Sequence, residues 1–383
     1  MSFFTPVAPP KTKLGRYRQL APSASVHVSP LCLGAMSIGT KWEARGMGAM
    51  NKESSLKLLD AYFDAGGNFI DTANGYQDES SEEVLGEWME KRGIRDKMVI
   101  ATKYTTGYKK DDDSVAIKIN YAGNSSKSMH VSVRDSLRKL RTDYVDILYV
   151  HWWDWNTSVE EVMDALHKLV MQGKVLYLGI SDTPAWVVAK ANTYARMAHK
   201  TPFVIYQGMW NVMQRDFERD IIPMCRAEGM ALAPWYVIAG GHFRTDEEEE
   251  RRRQTGEKGR LIYQSEWERT PEERKVCAAL EKVAKEVGVK SLTAVAIAYV
   301  MHKTPYVFPI IGGRKVEQLE DNVQALDISL SDEQIKYLES ILPFQPGFPN
   351  MFLGDGSDAA PWFKVNATVD RVEGAKPIRP ATK

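Results

Sequence analysis

The sequence has 383 residues, 44% of them hydrophobic, which is enough to bury a large core as one big α/β barrel or as two or three ordinary domains. Fifty basic residues balance fifty acidic ones, which excludes a global field drawing the protein to nucleic acid or an anionic membrane and points to a small-molecule partner. The three cysteines, Cys32, Cys225 and Cys277, lie far apart with no CxxC or Cys/His spacing, against a disulfide framework or a zinc site and in favour of a reducing compartment.

From the N-terminus, Met1-Ser2-Phe3-Phe4 running into Pro9-Pro10-Lys11 lacks the apolar centre of a secretory signal. No later stretch stays apolar long enough to span a bilayer, and Ala381-Thr382-Lys383 is not a retention or peroxisomal signal, so a cytoplasmic location is expected. Residues 1–30 read as a leader and barrel-bottom segment. From Leu31-Cys32-Leu33-Gly34 onward, apolar strand-like runs alternate with amphipathic helical patterns. Further strands are expected at Asn68–Asp71, Met98–Lys103, Val145–His151, Val175–Ile180, Phe203–Tyr206, Met230–Ala233 and Val307–Ile310. Helices are expected at Glu53–Asp64, Ser81–Lys91, Ser128–Leu140, Ser158–Met171 and Pro184–Ala198. Eight strand–helix pairs close most economically as a (β/α)8 TIM barrel over residues 31–342. The glycines in Gly34-Ala35-Met36-Ser37-Ile38-Gly39 are too far apart for the GxGxxG turn of a doubly wound sheet.

Two stretches break the repeat. The segment at about 240–270 is dense in charge, with Glu247 and Arg251 spaced to pair on an exposed helix after strand seven. The tail, 343–383, begins rich in Pro and Gly and is expected to wrap the surface and fray.

Active sites of such barrels are built at the C-terminal ends of strands, so polar residues closing apolar runs matter most. Asp71, Lys103 and His151 close the second, third and fourth runs, and Tyr76 follows Asp71 by five residues. These four types suit carbonyl reduction. A phenol with a pKa near 10 is a poor acid at neutral pH, and a Lys103 ammonium steadied by Asp71 is expected to lower the pKa of Tyr76. His151 can donate a hydrogen bond to the substrate oxygen as charge builds there.

Through Phe69-Ile70-Asp71-Thr72-Ala73-Asn74-Gly75-Tyr76, Ala101-Thr102-Lys103 and Leu148-Tyr149-Val150-His151, the chain resembles the aldo-keto reductase superfamily over roughly residues 14 to 343. Within it, the leader, charged insertion and Pro/Gly-rich tail resemble those of fungal aryl-alcohol dehydrogenases. The resemblance implies Tyr76 as general acid, tuned by Lys103 and Asp71, with His151 orienting the substrate.

It also implies NADPH/NADP+ as cofactor. Ile311-Gly312-Gly313-Arg314-Lys315 stands where barrels bind phosphate, with glycines for close backbone approach and Arg314 and Lys315 for a 2′-phosphate. Gln318 and Asn322, at i+4 and i+8 from Arg314, are expected on the same helix face and would meet the adenine. The nicotinamide end is assigned to Ser181, Asp182, Gln207 and Trp235. Asp182 replaces the Asn common in the family and cannot donate to a carboxamide oxygen. Tyr236-Val237-Ile238 replaces Ser-Pro-Leu, leaving Gly240 and Gly241 to supply backbone to the pyrophosphate.

Trp42, Trp152 and Trp153, with Trp155 nearby, fall in loops at the expected mouth and suit a flat aryl aldehyde or alcohol as substrate. Two other readings share these features. One is a polyketide-tailoring ketoreductase with a larger pocket; the other is an NADPH-sensing regulatory subunit. The oligomeric state is not legible in the sequence.

Overall fold

The computed structural model describes residues 4–39, 41–42, 50–257 and 266–380, so part of the expected insertion, 258–265, lies outside the described residues. Its strands are β1 (Arg18–Ala21), β2 (Ala24–Val28), β3 (Cys32–Gly34), β4 (Phe69–Asp71), β5 (Val99–Tyr104), β6 (Val145–Val150), β7 (Val175–Ser181), β8 (Phe203–Met209), β9 (Ala231–Trp235) and β10 (Ile310–Ile311). The helices are α1 (Lys52–Asp64), α2 (Ser80–Arg92), α3 (Ser126–Leu140), α4 (Val159–Met171), α5 (Ala185–Met197), α6 (Ile221–Glu228), α7 (Asp246–Thr255), α8 (Pro271–Glu286), α9 (Leu292–Lys303), α10 (Val316–Val323), α11 (Asp332–Ile341), α12 (Asn350–Leu353) and α13 (Pro361–Lys364).

Strands β3 to β9 pair in parallel in chain order, and β10 pairs with β3. The ring closes through a parallel bridge between Leu232 and Val307, where Phe308 N donates to Leu232 O at 2.8 Å and Leu232 N donates to Tyr306 O at 2.9 Å. This is the expected (β/α)8 barrel. Its helices begin where sequence caps sit: Asn51 and Ser54 form a capping box on α1, and Thr270 with Glu273 forms another on α8.

Alternation along each strand divides the core into two layers. Cys32, Phe69, Val99, Ala101, Ile147, Tyr149, Ile205, Ala231, Ala233 and Phe308 fill the barrel interior. Their neighbours Ile70, Ile100, Leu148, Ile180 and Tyr206 point outward into the layer under the helices. The antiparallel hairpin β1–β2 sends Leu20, Ala21, Ala24 and Val28 into the inner layer and so plugs the barrel floor. Continuing the inward period by two residues puts Asp71 above Phe69, Lys103 above Ala101, His151 above Tyr149, Ser181 above Gly179, Gln207 above Ile205 and Trp235 above Ala233. The mouth is thus lined by the first polar layer over an apolar floor. At Gly179 a Cβ would lie 2.5 Å from the Tyr149 ring, so this interior layer has room for that ring only beside a glycine.

Most boundaries fall within a residue or two of expectation. Two differences bear on function. His151 lies one residue past the end of β6 and Lys103 one residue before the end of β5, so neither ends its strand. The charged insertion does form a helix, α7, but not a merely solvated one. Arg251 and Arg252 pair with Glu248 instead of Glu247. Glu249, 1% exposed, takes Arg244 Nη2 at 2.9 Å and Arg269 Nε at 2.9 Å, and pairs with Arg274. Burial opposes its ionisation, but these guanidiniums prevail and hold its carboxyl down at about 2. An inward carboxylate on a charge-rich helix thereby fastens α7 to the residues before α8.

Candidate active site

Lys103 is fully buried, and its three ammonium protons have three acceptors: Asp71 Oδ2 at 2.6 Å, Thr72 O at 2.8 Å and Tyr76 Oη at 3.3 Å. The other oxygen of Asp71 accepts from Gln207 Nε2 at 2.9 Å, across the barrel. Desolvation pulls the Lys103 pKa down, yet Asp71 and Tyr76 outweigh it and the ammonium is held above its ordinary range. Tyr76 behaves otherwise than expected. Burial raises its phenol more than the Lys103 ammonium lowers it, so the net shift is upward. The lysine partly offsets the cost of burial and leaves the phenol protonated at neutral pH.

The loop carrying Tyr76 is stiff. Asn74 N donates to Lys103 O at 3.1 Å, Asn74 Nδ2 donates to Ser132 Oγ at 2.8 Å, and Ser81 Oγ donates to Ala35 O at 2.9 Å. Gln77, Asp78 and Glu79 follow in the left-handed region, with φ of 53°, 49° and 78°. Three consecutive non-glycine residues there are strained and persist only where their surroundings fix them. Gln77 accepts from Trp42 N at 3.0 Å and donates to Met36 O at 3.0 Å, while Asp78 accepts from Trp42 Nε1 at 2.7 Å. Trp42 in turn stands edge-on to Tyr76, with ring centroids 6.2 Å apart.

The His151 ring meets Tyr76 at 6.0 Å between centroids, and its Nδ1 lies 3.1 Å from Thr106 Oγ1. Trp152 Nε1 donates to the same hydroxyl at 3.0 Å, and the tautomer in which that hydroxyl donates to Nδ1 carries its ring proton on Nε2. Burial first, then the Lys103 charge, lowers the His151 pKa to about 3, so the imidazole is neutral. Of the other mouth tryptophans, Trp152 is 39% exposed, whereas Trp153 is only 9% exposed and packs in the outer apolar layer. Its apolar surroundings make it a core side chain and not a substrate contact.

Residues proposed for a dinucleotide follow β7 to β10, one arc of the mouth. Ser181 is buried, and its hydroxyl interacts with the Asp182 carboxylate. Asp182, at φ 42° and open to solvent at the mouth, accepts from Trp235 Nε1 at 3.2 Å, and partial desolvation beside the barrel raises its carboxyl to about 6. Gln207, 3% exposed, is wired to Asp71. In the turn after β9, Gly240 and Gly241 have φ of 63° and 93°, but the Gly241 N–H is taken by Ile238 O at 3.0 Å and does not face a ligand.

After β10, Gly312 and Gly313 lead to Arg314, which lies outside α10, because the cap is Lys315. Arg314 therefore shares no helix face with Gln318 and Asn322. Instead, Gln318 Oε1 accepts from the backbone N–H groups of Arg314 at 2.8 Å and Lys315 at 3.3 Å, fixing the loop that presents both cations. A Cβ on Gly313 would come within 3.2 Å of that oxygen. Asn322 Nδ2 donates to Gly312 O at 3.5 Å, and a small cleft beside it is lined by Leu33, Leu58, Gly312, Gly313 and Leu319. A buried hydroxyl at one end of the arc and two cations on a glycine turn at the other fit an elongated, anionic dinucleotide.

A sequence profile of the Aldo/keto reductase family matches residues 30–343. The chain belongs to that family. This aldo/keto reductase is similar to the aryl-alcohol dehydrogenase (NADP(+)) of Phanerodontia chrysosporium, with 62% identity over 99% of this chain and 100% of the other. It is 53% identical to the aldo-keto reductase ausK of Emericella nidulans over 91% of this chain and 87% of the other. It is 51% identical to norsolorinic acid reductase B of Dothistroma septosporum over 95% of this chain and 94% of the other.

Sequence reading missed the buried ionic support under the Tyr76 loop of this aldo/keto reductase. Lys139 on α3, with a fully buried side chain, pairs with Glu82 at 2.8 Å and Glu79 at 3.0 Å, and donates to Asn74 O at 2.9 Å. Thr102, beside Lys103, donates to the other oxygen of Glu82 at 2.5 Å. A lysine within an amphipathic helix carries no local mark of burial, so only the spacing of Ser128, Ser132, Asp135 and Lys139 along one buried face hinted at a polar seam. Thr106 was missed too, since a Thr in a polar loop has no signature until His151 and Trp152 converge on it.

Proposed function

We propose that this aldo/keto reductase is an NADPH-dependent enzyme that interconverts aryl aldehydes, or related carbonyls, and the corresponding alcohols. Bound along the β7 to β10 arc, NADPH would supply the hydride to the carbonyl carbon. The remaining chemistry belongs to the chain. His151 Nε2–H orients the carbonyl oxygen and stabilises charge on it. Tyr76 gives that oxygen its proton, and the buried Lys103 ammonium stabilises the phenolate left behind, with Asp71 and Gln207 keeping Lys103 charged and in place. In the alcohol-oxidising direction the same phenolate takes the proton back. Arg314 and Lys315 would hold the 2′-phosphate, Ser181 and Asp182 the carboxamide, and Trp235 the nicotinamide face.

The observation that carries this reading is the Lys103 ammonium donating at once to Asp71 and Tyr76 inside the mouth of the barrel. The 62% identical relative named for aryl-alcohol oxidation with NADP(+) supports the cofactor and the aromatic substrate. Trp42 edge-on to Tyr76 and the half-exposed Trp152 support a flat ring beside the reacting carbon. Similarity to a norsolorinic acid reductase supports a second substrate class, a larger polycyclic ketone, at lower identity. Relatives named as a dehydrogenase and as reductases support turnover over a purely cofactor-sensing role. Three buried free cysteines, and no helix among the described residues long and apolar enough to cross a membrane, are in keeping with a cytoplasmic location.

Tyr76→Phe is expected to lower kcat for benzaldehyde by about 10²- to 10⁴-fold, the range for a general acid, with NADPH affinity nearly unchanged. The same assay includes a straight-chain aldehyde and a fused-ring ketone. Retained turnover in the variant removes Tyr76 from the acid role, and higher kcat/KM for the straight chain removes the aryl preference.

A further inference from the structure

The two cations after β10 already have a partner. Arg314 Nη2 lies 3.5 Å from Glu257 Oε1, and Lys315 Nζ lies 3.7 Å from Glu257 Oε2. Glu257 stands two residues past the end of α7, beyond Gly256 at φ 71°, a left-handed helix end that turns the chain. Its second oxygen accepts from Arg251 Nη2 at 2.9 Å, and Arg251 is itself paired with Glu248. Because α7 is fastened through the buried Glu249, this carboxylate is delivered from an anchored helix. Hydrogen bonding to Arg251, with help from Lys315, holds its pKa below the usual carboxylate range, so it is an anion throughout neutral pH.

We infer that Glu257 is an internal anion that competes with the cofactor's 2′-phosphate for Arg314 and Lys315, and so sets how strongly the site prefers a phosphorylated ribose. The inference rests on the reading of these two cations as the 2′-phosphate site. A phosphomonoester carries roughly −1.5 to −2 charges at pH 7 and three strong acceptor oxygens, against one charge on the carboxylate. The 3.5 and 3.7 Å separations are those of a loose pair at partly exposed side chains, open to displacement by the stronger anion. A dinucleotide with a free 2′-hydroxyl offers nothing to displace Glu257, which then stays on the cations and accepts no cost of desolvating them. Removing the carboxylate therefore favours the 2′-phosphorylated ligand selectively.

Calorimetric titration of the full chain with adenosine 2′,5′-bisphosphate and adenosine 5′-monophosphate tests this without turnover. Glu257→Gln is expected to tighten the bisphosphate about 3- to 5-fold, the scale of one exposed ion pair, and to leave the monophosphate within about 2-fold. Arg314→Ala is expected to weaken the bisphosphate, and in that background Glu257→Gln should lose most of its effect. Thermal melts of each variant check that the fold is kept. If Arg314→Ala weakens the bisphosphate while Glu257→Gln leaves it unchanged or weaker, the competition is overturned and the phosphate site stands. If Arg314→Ala binds the bisphosphate as tightly as wild type, the phosphate lies elsewhere and both readings fall.

Discussion

At the scale of single residues, the site separates three ionisable groups by environment. His151 is kept neutral with a pKa of about 3, so it cannot impose an inflection on the rate between pH 5 and 9. Tyr76 is shifted upward, so in the proposed mechanism carbonyl reduction keeps its proton source through neutral pH, while alcohol oxidation, which would need the phenolate, is expected to gain as pH rises. Asp182 is the group that titrates within the working range, near pH 6. A carboxamide NH₂ prefers the carboxylate to the carboxylic acid, so binding draws a proton off Asp182 and affinity grows as pH rises through about 6. A charged acceptor exceeds a neutral one by roughly 1 kcal/mol, so NADPH should bind about 5-fold more weakly at pH 5 than at pH 7.5. Fluorescence titrations of wild type and Asp182→Asn across that range check this: the 2′-phosphate titrates there in both, so a wild-type dependence no steeper than that of Asp182→Asn would place the carboxamide away from Asp182. The tetrad was legible in the sequence because each member stands at or near the end of an apolar run. The direction of the Tyr76 shift was not, since charge partners can be read from neighbouring motifs but burial cannot.

At the scale of elements, the loop between β4 and α2 depends on α3. Lys139 bridges Glu79, Glu82 and the Asn74 carbonyl, and Glu82 also takes the Thr102 hydroxyl next to Lys103. Replacing Lys139 by Met leaves the fully buried Glu82 without its cation, a loss of about 3–5 kcal/mol for a broken buried pair. Denaturant unfolding should report that loss. The turnover of the folded fraction should fall as well, with less effect on NADPH affinity, because Asn74 precedes Tyr76 by two residues. A stability change of less than about 1 kcal/mol would show that the loop is held by its backbone contacts alone. Most barrel strands and the five helices expected up to Ala198 were readable to within a residue or two because each has its own period, whereas α6 and α8 to α11 were not assigned bounds and the last strand overlaps its expected run only at Ile310. The N-terminal segment was read as barrel bottom, but its hairpin was not, because β1 and β2 are short and their pairing acquires meaning only against the barrel floor. The face of α7 escaped for the opposite reason, since Glu249 is indistinguishable from its acidic neighbours until Arg244 and Arg269 surround it.

At the scale of the molecule, the barrel and its C-terminal tail are unequal partners. The tail touches the barrel through surface polar contacts: Arg219 with Gln345 O at 2.9 Å, Arg226 with Asp355 at 3.1 Å and Arg379 with Asp332 at 3.1 Å. Phe348, Met351, Phe363 and Val372 are left 85%, 73%, 63% and 94% exposed, so the tail adds little apolar burial. Exposed pairs are worth at most about 1 kcal/mol each. Deleting residues 346–383 is therefore expected to lower Tm by no more than about 5 °C and to preserve benzaldehyde reduction. Aggregation or loss of the cooperative melt on deletion would mean that the tail covers part of the core.

The linear chain determined the class of fold, the number of barrel strands and the candidate reactive residues, because helical and strand periods and strand-end polar residues are local properties. Tertiary structure decided what those residues do electrically. Gln207 reaches Asp71 across 136 positions of sequence, and Lys139 reaches Asn74 across 65. Arg314 meets Glu257 across 57. Pairings of that span exist only once the ring has closed, and they, together with the loss of water around them, set which group is charged, which is neutral and which cation is already occupied.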